Sequence, residues 1–159
     1  MTHSTRSMMT SVVAASVLLI AVPLAAQAPA ATDAMAIVHQ FIDAFNKGDL
    51  KTLSAACADQ VSIIDEYPPY EWHGSGSCAK WSTDYDADAK KNGITDGSVT
   101  LGKPSHVDVS GDRAYIVAPA NYTYKEKGKP VKEVGSILTV ALQKSSAGWR
   151  ITGWSWAKH

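Results

Sequence analysis

Phe41-Ile42-Asp43-Ala44-Phe45-Asn46-Lys47-Gly48-Asp49-Leu50 holds the end of one helix, a glycine stop and the start of the next. Upstream of the stop, Ile37, Val38, Phe41, Ile42 and Phe45 recur at three- and four-residue steps, which puts them on one apolar stripe. Gly48 suits the left-handed C-cap that ends such a helix, because it carries no Cβ to clash. Asp49 then caps a second, shorter helix from Leu50 to about Ala58, and Asp33 is the matching cap at the start of the first. His39 and Asp43 fall on or near the polar side of the first helix, where solvation explains them.

Downstream, Val61 to Asp65 is rich in β-branched residues and reads as a strand. Tyr67-Pro68-Pro69-Tyr70 is a stiff loop, since each proline restricts its own φ and the residue before it. Gly74-Ser75-Gly76-Ser77 is flexible, and Ser77 can cap a third helix with Trp81 and Tyr85 on one face. Asp84, Asp86, Asp88, Lys90 and Lys91 point mainly outward on that helix, and Asn92-Gly93 closes it. The texture then becomes alternating, with strands over Gly97 to Lys103, Ser105 to Val109, Arg113 to Lys125, Val131 to Lys144 and Trp149 to Ala157. Short Gly-containing loops between them make neighbours antiparallel. Pro119 inside a long strand calls for a bend or bulge. The fold class is therefore α+β: a cone-shaped, curved antiparallel sheet with three helices from the N-terminal half packed on it. A sheet of that shape leaves a conical pocket, where ligands bind.

The beginning of the chain reads as a secretory signal. His3 and Arg6 precede an apolar run from Val12 to Val22, Pro23 breaks it, and Ala26-Gln27-Ala28 supplies a small-x-small cleavage pattern. The expected division is residues 1–28 as signal peptide, 29–32 as a disordered lead-in and 33–159 as the domain. Pro29 directly after the cleavage pattern is unfavourable, which leaves a cut a few residues away or a retained N-terminal anchor open. The expected location is outside the cytoplasm, in a bacterial periplasm, with no stable membrane insertion once the signal is removed. Fifteen Lys and Arg face fifteen Asp and Glu. That balance carries no basic face for nucleic acid, which is excluded as a partner. Cys57 and Cys78 are the two cysteines, and an oxidising compartment lets them pair. A disulfide closing ~20 residues stabilises by roughly 3 kcal/mol; two buried unpaired thiols is the other reading.

The candidate chemistry gathers between Ile63 and Trp81. Asp65 at the end of a strand, among tyrosines and tryptophans, has the burial that lifts a carboxyl toward a useful general base. Alternation would turn Glu66 to the opposite face, so only one of the two can look into a pocket. His73 can act as general acid or base, or orient Asp65. Tyr67, Tyr70, Trp72, Trp81 and Tyr85 can line a cavity for a flat ligand, as can Tyr122 with Tyr124 and Trp154 with Trp156, which are paired two apart on strands. Core packing is the competing role for every one of these rings. A metal site would need Asp65, His73 and His106 to converge; neither a metal nor any other cofactor is expected.

The order of elements, together with the Phe41 to Leu50 segment, resembles the nuclear transport factor two-like superfamily. Its members include SnoaL-like polyketide cyclases, ketosteroid isomerases, scytalone dehydratase and many exported proteins. His73-Gly74 before the third helix and Gly148-Trp149-Arg150-Ile151 in the last strand add to the resemblance, which spans roughly Asp33 to Ala157. It implies a cystatin-like roll. It also places Asp65 where ketosteroid isomerase-like members carry their proton-shuttling base. The position corresponding to their helix-one tyrosine is Phe41, which is thereby a ligand-wall candidate. The late strand around Ile137 to Leu142 offers Thr139 but no acid. Without donors aimed at a developing oxyanion, steroid isomerisation is not expected. Two readings follow: an exported domain binding a small, largely apolar molecule in an aromatic pocket, or an isomerase, dehydratase or cyclase-type enzyme with Asp65 as base. Related folds also offer homodimerisation through the sheet.

Overall fold

The structure, a computed structural model, describes residues 24–159. Residues 1–23, which carry most of the expected signal peptide, lie outside the described residues. Helix α1 spans Leu24–Lys47 and α2 Leu50–Ala56; strands β1 (Cys57–Ile64) and β2 (Glu71–Ser75) precede α3 (Ser77–Asn92). Strands β3 (Ile94–Leu101), β4 (His106–Ser110), β5 (Arg113–Glu126), β6 (Lys129–Ser145) and β7 (Gly148–Ala157) complete the chain.

Helix α1 begins before the expected cap. Asp33 is an exposed interior residue, and residues 29–32, expected as a lead-in, are helical. The alanine-rich run around Ala30 and Ala31 favours helix strongly enough to carry it through Pro29 at the loss of one backbone bond. The other end follows the sequence: Gly48 has φ 64°, and Asp49 accepts from Thr52 N at 3.0 Å to cap α2. Ala34, Val38, Phe41, Ile42 and Ala44 form the buried stripe of α1. Gly93 (φ 70°) ends α3 in the same left-handed way as Gly48 ends α1. The start of α3 differs from expectation. Its N-cap is Gly76, while Ser77 Oγ turns back to donate to Gly74 O at 2.9 Å.

The sheet has seven strands in the order β2-β1-β7-β6-β5-β3, with β4 also on β5. It is mixed rather than wholly antiparallel, because β1 and β7 run parallel. Hairpin loops dictate direction only between sequence neighbours, and no short connection joins β1 to β7. Strand β2 was not anticipated. It pairs antiparallel with β1 across a loop that is closed by Asp65 N to Tyr70 O at 3.0 Å and Tyr70 N to Tyr67 O at 2.8 Å. On β5, Pro119 sits between the last β3 partner, Ala120, and the first β4 partner, Val117. Its missing N–H costs no ladder bond on that side. The bulge itself lies beside it, between Ala120 and Asn121 opposite Gly135 on β6.

The helices pack against the curved sheet around a core that includes Val38, Leu53, Ile63, Ile116, Leu138, Leu142 and Ile151. Two covalent or bidentate ties hold the layers together. Cys57 at the start of β1 is disulfide-bonded to Cys78 in α3, so the paired reading of the cysteines holds. Asn46 near the end of α1 acts as a mock strand residue: Nδ2 donates to Val99 O at 2.8 Å, and Oδ1 accepts from Val99 N at 2.7 Å. No described helix is long and apolar enough to cross a membrane.

Candidate functional site

Three elements bring aromatic rings into one cluster between the helices and the sheet. Phe41 from α1 lies 5.9 Å from Trp81 of α3 and 5.7 Å from Trp154 of β7 (ring centroids), and Trp81 meets Trp154 edge-on at 4.8 Å. Trp81 stacks on Tyr85 one turn along, and Phe45 packs edge-on against Tyr85 at 5.0 Å. These rings line a half-open pocket with about 60 Å³ of free interior space, bordered further by Tyr67, Tyr122, Trp156, Val99 and Leu138. It holds a few waters' worth of space.

Asp65 is the acid on this wall. Its Oδ2 accepts from Trp81 Nε1 at 2.7 Å and its Oδ1 from Glu66 N at 2.8 Å. Burial raises its carboxyl to about 6 despite those two donors, with the negative charges of Glu66 and Glu133 pushing the same way. The Tyr85 and Tyr122 hydroxyls, which border the same cavity, are hydrogen-bonded to each other. Burial pushes both phenols up, so they remain protonated at neutral pH. Gly97 leaves room for this pair, since a Cβ there would stand 2.8 Å from each hydroxyl oxygen. Tyr67 donates to Trp81 O at 2.7 Å, tying the proline loop to α3.

Of the residues singled out from sequence, Asp65, Phe41, Tyr67, Trp81, Tyr85, Tyr122, Trp154 and Trp156 all border the cavity. His73 does not. It stands on the exposed side of β2, with Nε2 at 3.2 Å from Glu71 Oε2 and Nδ1 at 3.3 Å from Ser62 Oγ, and it neither touches nor orients Asp65. Its position on an unanticipated edge strand is the reason. Tyr70, in the turn before that strand at φ 74°, is 57% exposed. Trp72 is buried but faces α3, where its Nε1 donates to Asp84 Oδ2 at 2.7 Å, so it braces the wall from behind. His106 pairs with Asp108 on β4, away from Asp65, and among the described residues no group of three His, Cys, Asp or Glu converges to hold a metal.

The structure adds residues that the sequence did not reveal. Strand β1 stops at Ile64, so alternation no longer separates Asp65 from Glu66, and both border the cavity. Glu66 is half-buried, with its carboxyl pushed up by burial. Lys158 bridges it to β6, its Nζ donating to Glu66 Oε2 at 3.0 Å and to Glu133 Oε1 at 2.6 Å. The two carboxylates in turn raise the lysine. Phe45 lay in the helical stripe and could have been found from that periodicity. Glu133 and Lys158 carried no such signal, because the bulge at Gly135 turns Glu133 inward and the end of β7 brings the half-exposed Lys158 to it.

A family model described as the SnoaL-like domain matches residues 34–155. The chain belongs to this family. Its described fold agrees with solved relatives of the nuclear transport factor 2-like superfamily. An NTF2-like protein with a cystatin-like fold from Novosphingobium aromaticivorans is 16% identical with TM-score 0.67, covering 82% of each chain. A ketosteroid isomerase-like protein from Erwinia carotovora atroseptica is 18% identical with TM-score 0.63, covering 80% of this chain and 94% of that one. An NTF2-like superfamily protein from Salmonella enterica serovar Typhimurium is 13% identical with TM-score 0.69, covering 82% and 92%. At these identities the likeness speaks for the fold of the SnoaL-like domain alone. No curated protein matches the sequence.

Proposed function

We propose that this SnoaL-like domain is an exported binder of small, flat and largely apolar molecules. The observation that carries the reading is the aromatic wall of Phe41, Trp81, Tyr85 and Trp154 closing over one anchored carboxyl, Asp65. The rings supply contact area and shape selection, and the carboxyl supplies orientation. Export accords with the apolar N-terminal run and with the Cys57–Cys78 disulfide, which an oxidising compartment preserves. Because tryptophans form the wall, binding should change their fluorescence. Native mass spectrometry of protein purified from its own host, together with a fluorescence titration against indole, tests the reading. A retained ligand or a saturable indole response supports it; neither would mean that the cavity is only a packing gap.

A second reading, proton-transfer catalysis of the isomerase, dehydratase or cyclase kind, is favoured by a different observation. Asp65, raised to about 6, shares the cavity with the bonded Tyr85 and Tyr122 hydroxyls. A base near neutrality opposite a phenol donor has the parts for moving a proton and stabilising the charge it leaves. Asp65→Asn should then abolish turnover while ligand retention survives. Turnover that persists would put the base elsewhere.

A further inference from the structure

The wall of the ring pocket is not equally thick on all sides. Phe41, Trp81 and Trp154 are 3%, 4% and 6% exposed, so packed core stands behind each of them. Phe45 and Tyr85 are only half-buried. On their far side both border a second, open groove with about 640 Å³ of free space, which runs past Gly48, Lys90, Gly93 and Gly97. It lies where the C-terminal ends of α1 and α3 meet the start of β3. Phe45 and Tyr85 therefore form a septum one side chain thick, with the ring pocket on one side and the groove on the other.

Tyr85 spans this septum. It leaves α3, stacks on Trp81 and meets Phe45 edge-on. It then reaches the sheet, where its hydroxyl bonds that of Tyr122 and lies beside Gly97. Regular strand pairing does not reinforce it there. The β3–β5 register breaks between Thr95 and Ser98, so Asp96 and Gly97 have no partner residue on β5, and Gly97 adds no side chain of its own. The Tyr85 ring is thus the material that divides pocket from groove at this point, with Phe45 covering the α1 side.

We propose that Tyr85 is a specificity-determining residue that limits the length of the ligand by closing the ring pocket toward the groove. The assignment rests on the small-molecule-binding reading and narrows it to compact ring systems. A seated ring can carry substituents toward the half-open mouth, whereas an extension toward the groove meets the phenol of Tyr85. Without that phenol, pocket and groove join into one channel, and a second ring gains a buried place beside Phe45 and Ala89.

Indole and 2-phenylindole differ by one rigid ring, and fluorescence titration of the purified protein with each tests the septum. In the wild type the added phenyl should change affinity by less than about threefold, because little of it is buried. In Tyr85→Ala, 2-phenylindole should gain about tenfold or more over indole, the effect of burying a phenyl ring. Tyr85→Leu, a milder truncation, should move the ratio in the same direction and serves if Tyr85→Ala does not fold. Tyr85→Phe keeps the ring and loses only the hydroxyl, so its ratio should remain that of the wild type. Phe41→Leu enlarges the pocket against packed core and should also leave the ratio alone. A thiol in the groove reports the route: in Tyr85→Ala combined with Lys90→Cys, 2-phenylindole should slow maleimide labelling and indole should not. A wild type that already favours 2-phenylindole beyond threefold, truncated variants with an unchanged ratio, or an equal shift in Tyr85→Phe or Phe41→Leu would overturn the septum while leaving ring binding intact. Failure of both probes to bind the wild type and every variant would overturn the binding reading as well.

Discussion

Trp81 Nε1 donates to Asp65 Oδ2 at 2.7 Å, so the helix that forms the pocket wall also holds the pocket's acid. That bond favours the carboxylate, yet burial outweighs it and the group rises from 3.8 to about 6. An acid raised on folding binds more protons in the native than in the unfolded chain between those two values. Its contribution to stability is therefore full below about pH 4 and is lost as pH rises through about 6. Comparing urea unfolding of the wild type and Asp65→Asn from pH 4 to 8 isolates this group. The wild-type stability should fall relative to the variant by about 2–3 kcal/mol across the window. A difference independent of pH would show that Asp65 titrates normally.

Asn46 makes both backbone bonds of Val99, and so docks the C-terminal end of α1 on β3. Asn46→Ala leaves a strand N–H and a C=O unpaired at the helix–sheet junction. The cost should be about 1–3 kcal/mol, read as a lower urea midpoint with unchanged slope. Asn46→Asp should recover only part of it, since a carboxylate can accept from Val99 N but cannot donate to Val99 O. Equal loss in both variants would mean that only the donor half of the contact matters.

How much of this was readable beforehand follows from how local each signal is. Gly48, Asp49 and Gly93 act through their own φ or their own side chain, so the helix stops stood in the sequence. The aromatic wall was legible because helical spacing puts Phe41, Phe45, Trp81 and Tyr85 on inward faces whatever the tertiary detail. His73 was misplaced because its direction depends on β2, an edge strand whose partner, β1, determines it. The parallel pairing of β1 with β7 was equally hidden, since no loop length reports it. Glu133 and Lys158 depend on where strands bulge and end, which alternation alone cannot locate. The parts of the site that sequence concealed are thus those created by long-range register.

The disulfide between Cys57 and Cys78 joins β1 to α3 across a sequence separation of 21 residues. Reduction, or the double replacement by serine, frees that loop in the unfolded chain and should cost roughly 3 kcal/mol. Because Trp81 lies one helical turn beyond Cys78, the loss should also loosen the wall. Native-state hydrogen exchange should then rise in α3 more than in β5 or β6, where cross-strand bonds are unaffected. A uniform rise throughout the domain would show that the bond acts only through global stability.

Gly97 tests the tyrosine pair without touching a functional group. It lies within the bulged stretch of β3 between Thr95 and Ser98, and a Cβ there would stand 2.8 Å from both the Tyr85 and Tyr122 hydroxyl oxygens. Both oxygens belong to ring systems packed in the core, so neither can move aside freely. Gly97→Ala should therefore separate the pair and destabilise the domain by about 1–3 kcal/mol. Tyr122→Phe provides the comparison, because it removes one of the two hydroxyls and opens part of the space that the new methyl needs. Combined with Gly97→Ala it should restore part of the lost stability, giving a coupling that a double-mutant cycle of urea midpoints measures directly. Strict additivity of the two changes would show that the glycine is required for the backbone of β3 and not for the hydroxyls it faces.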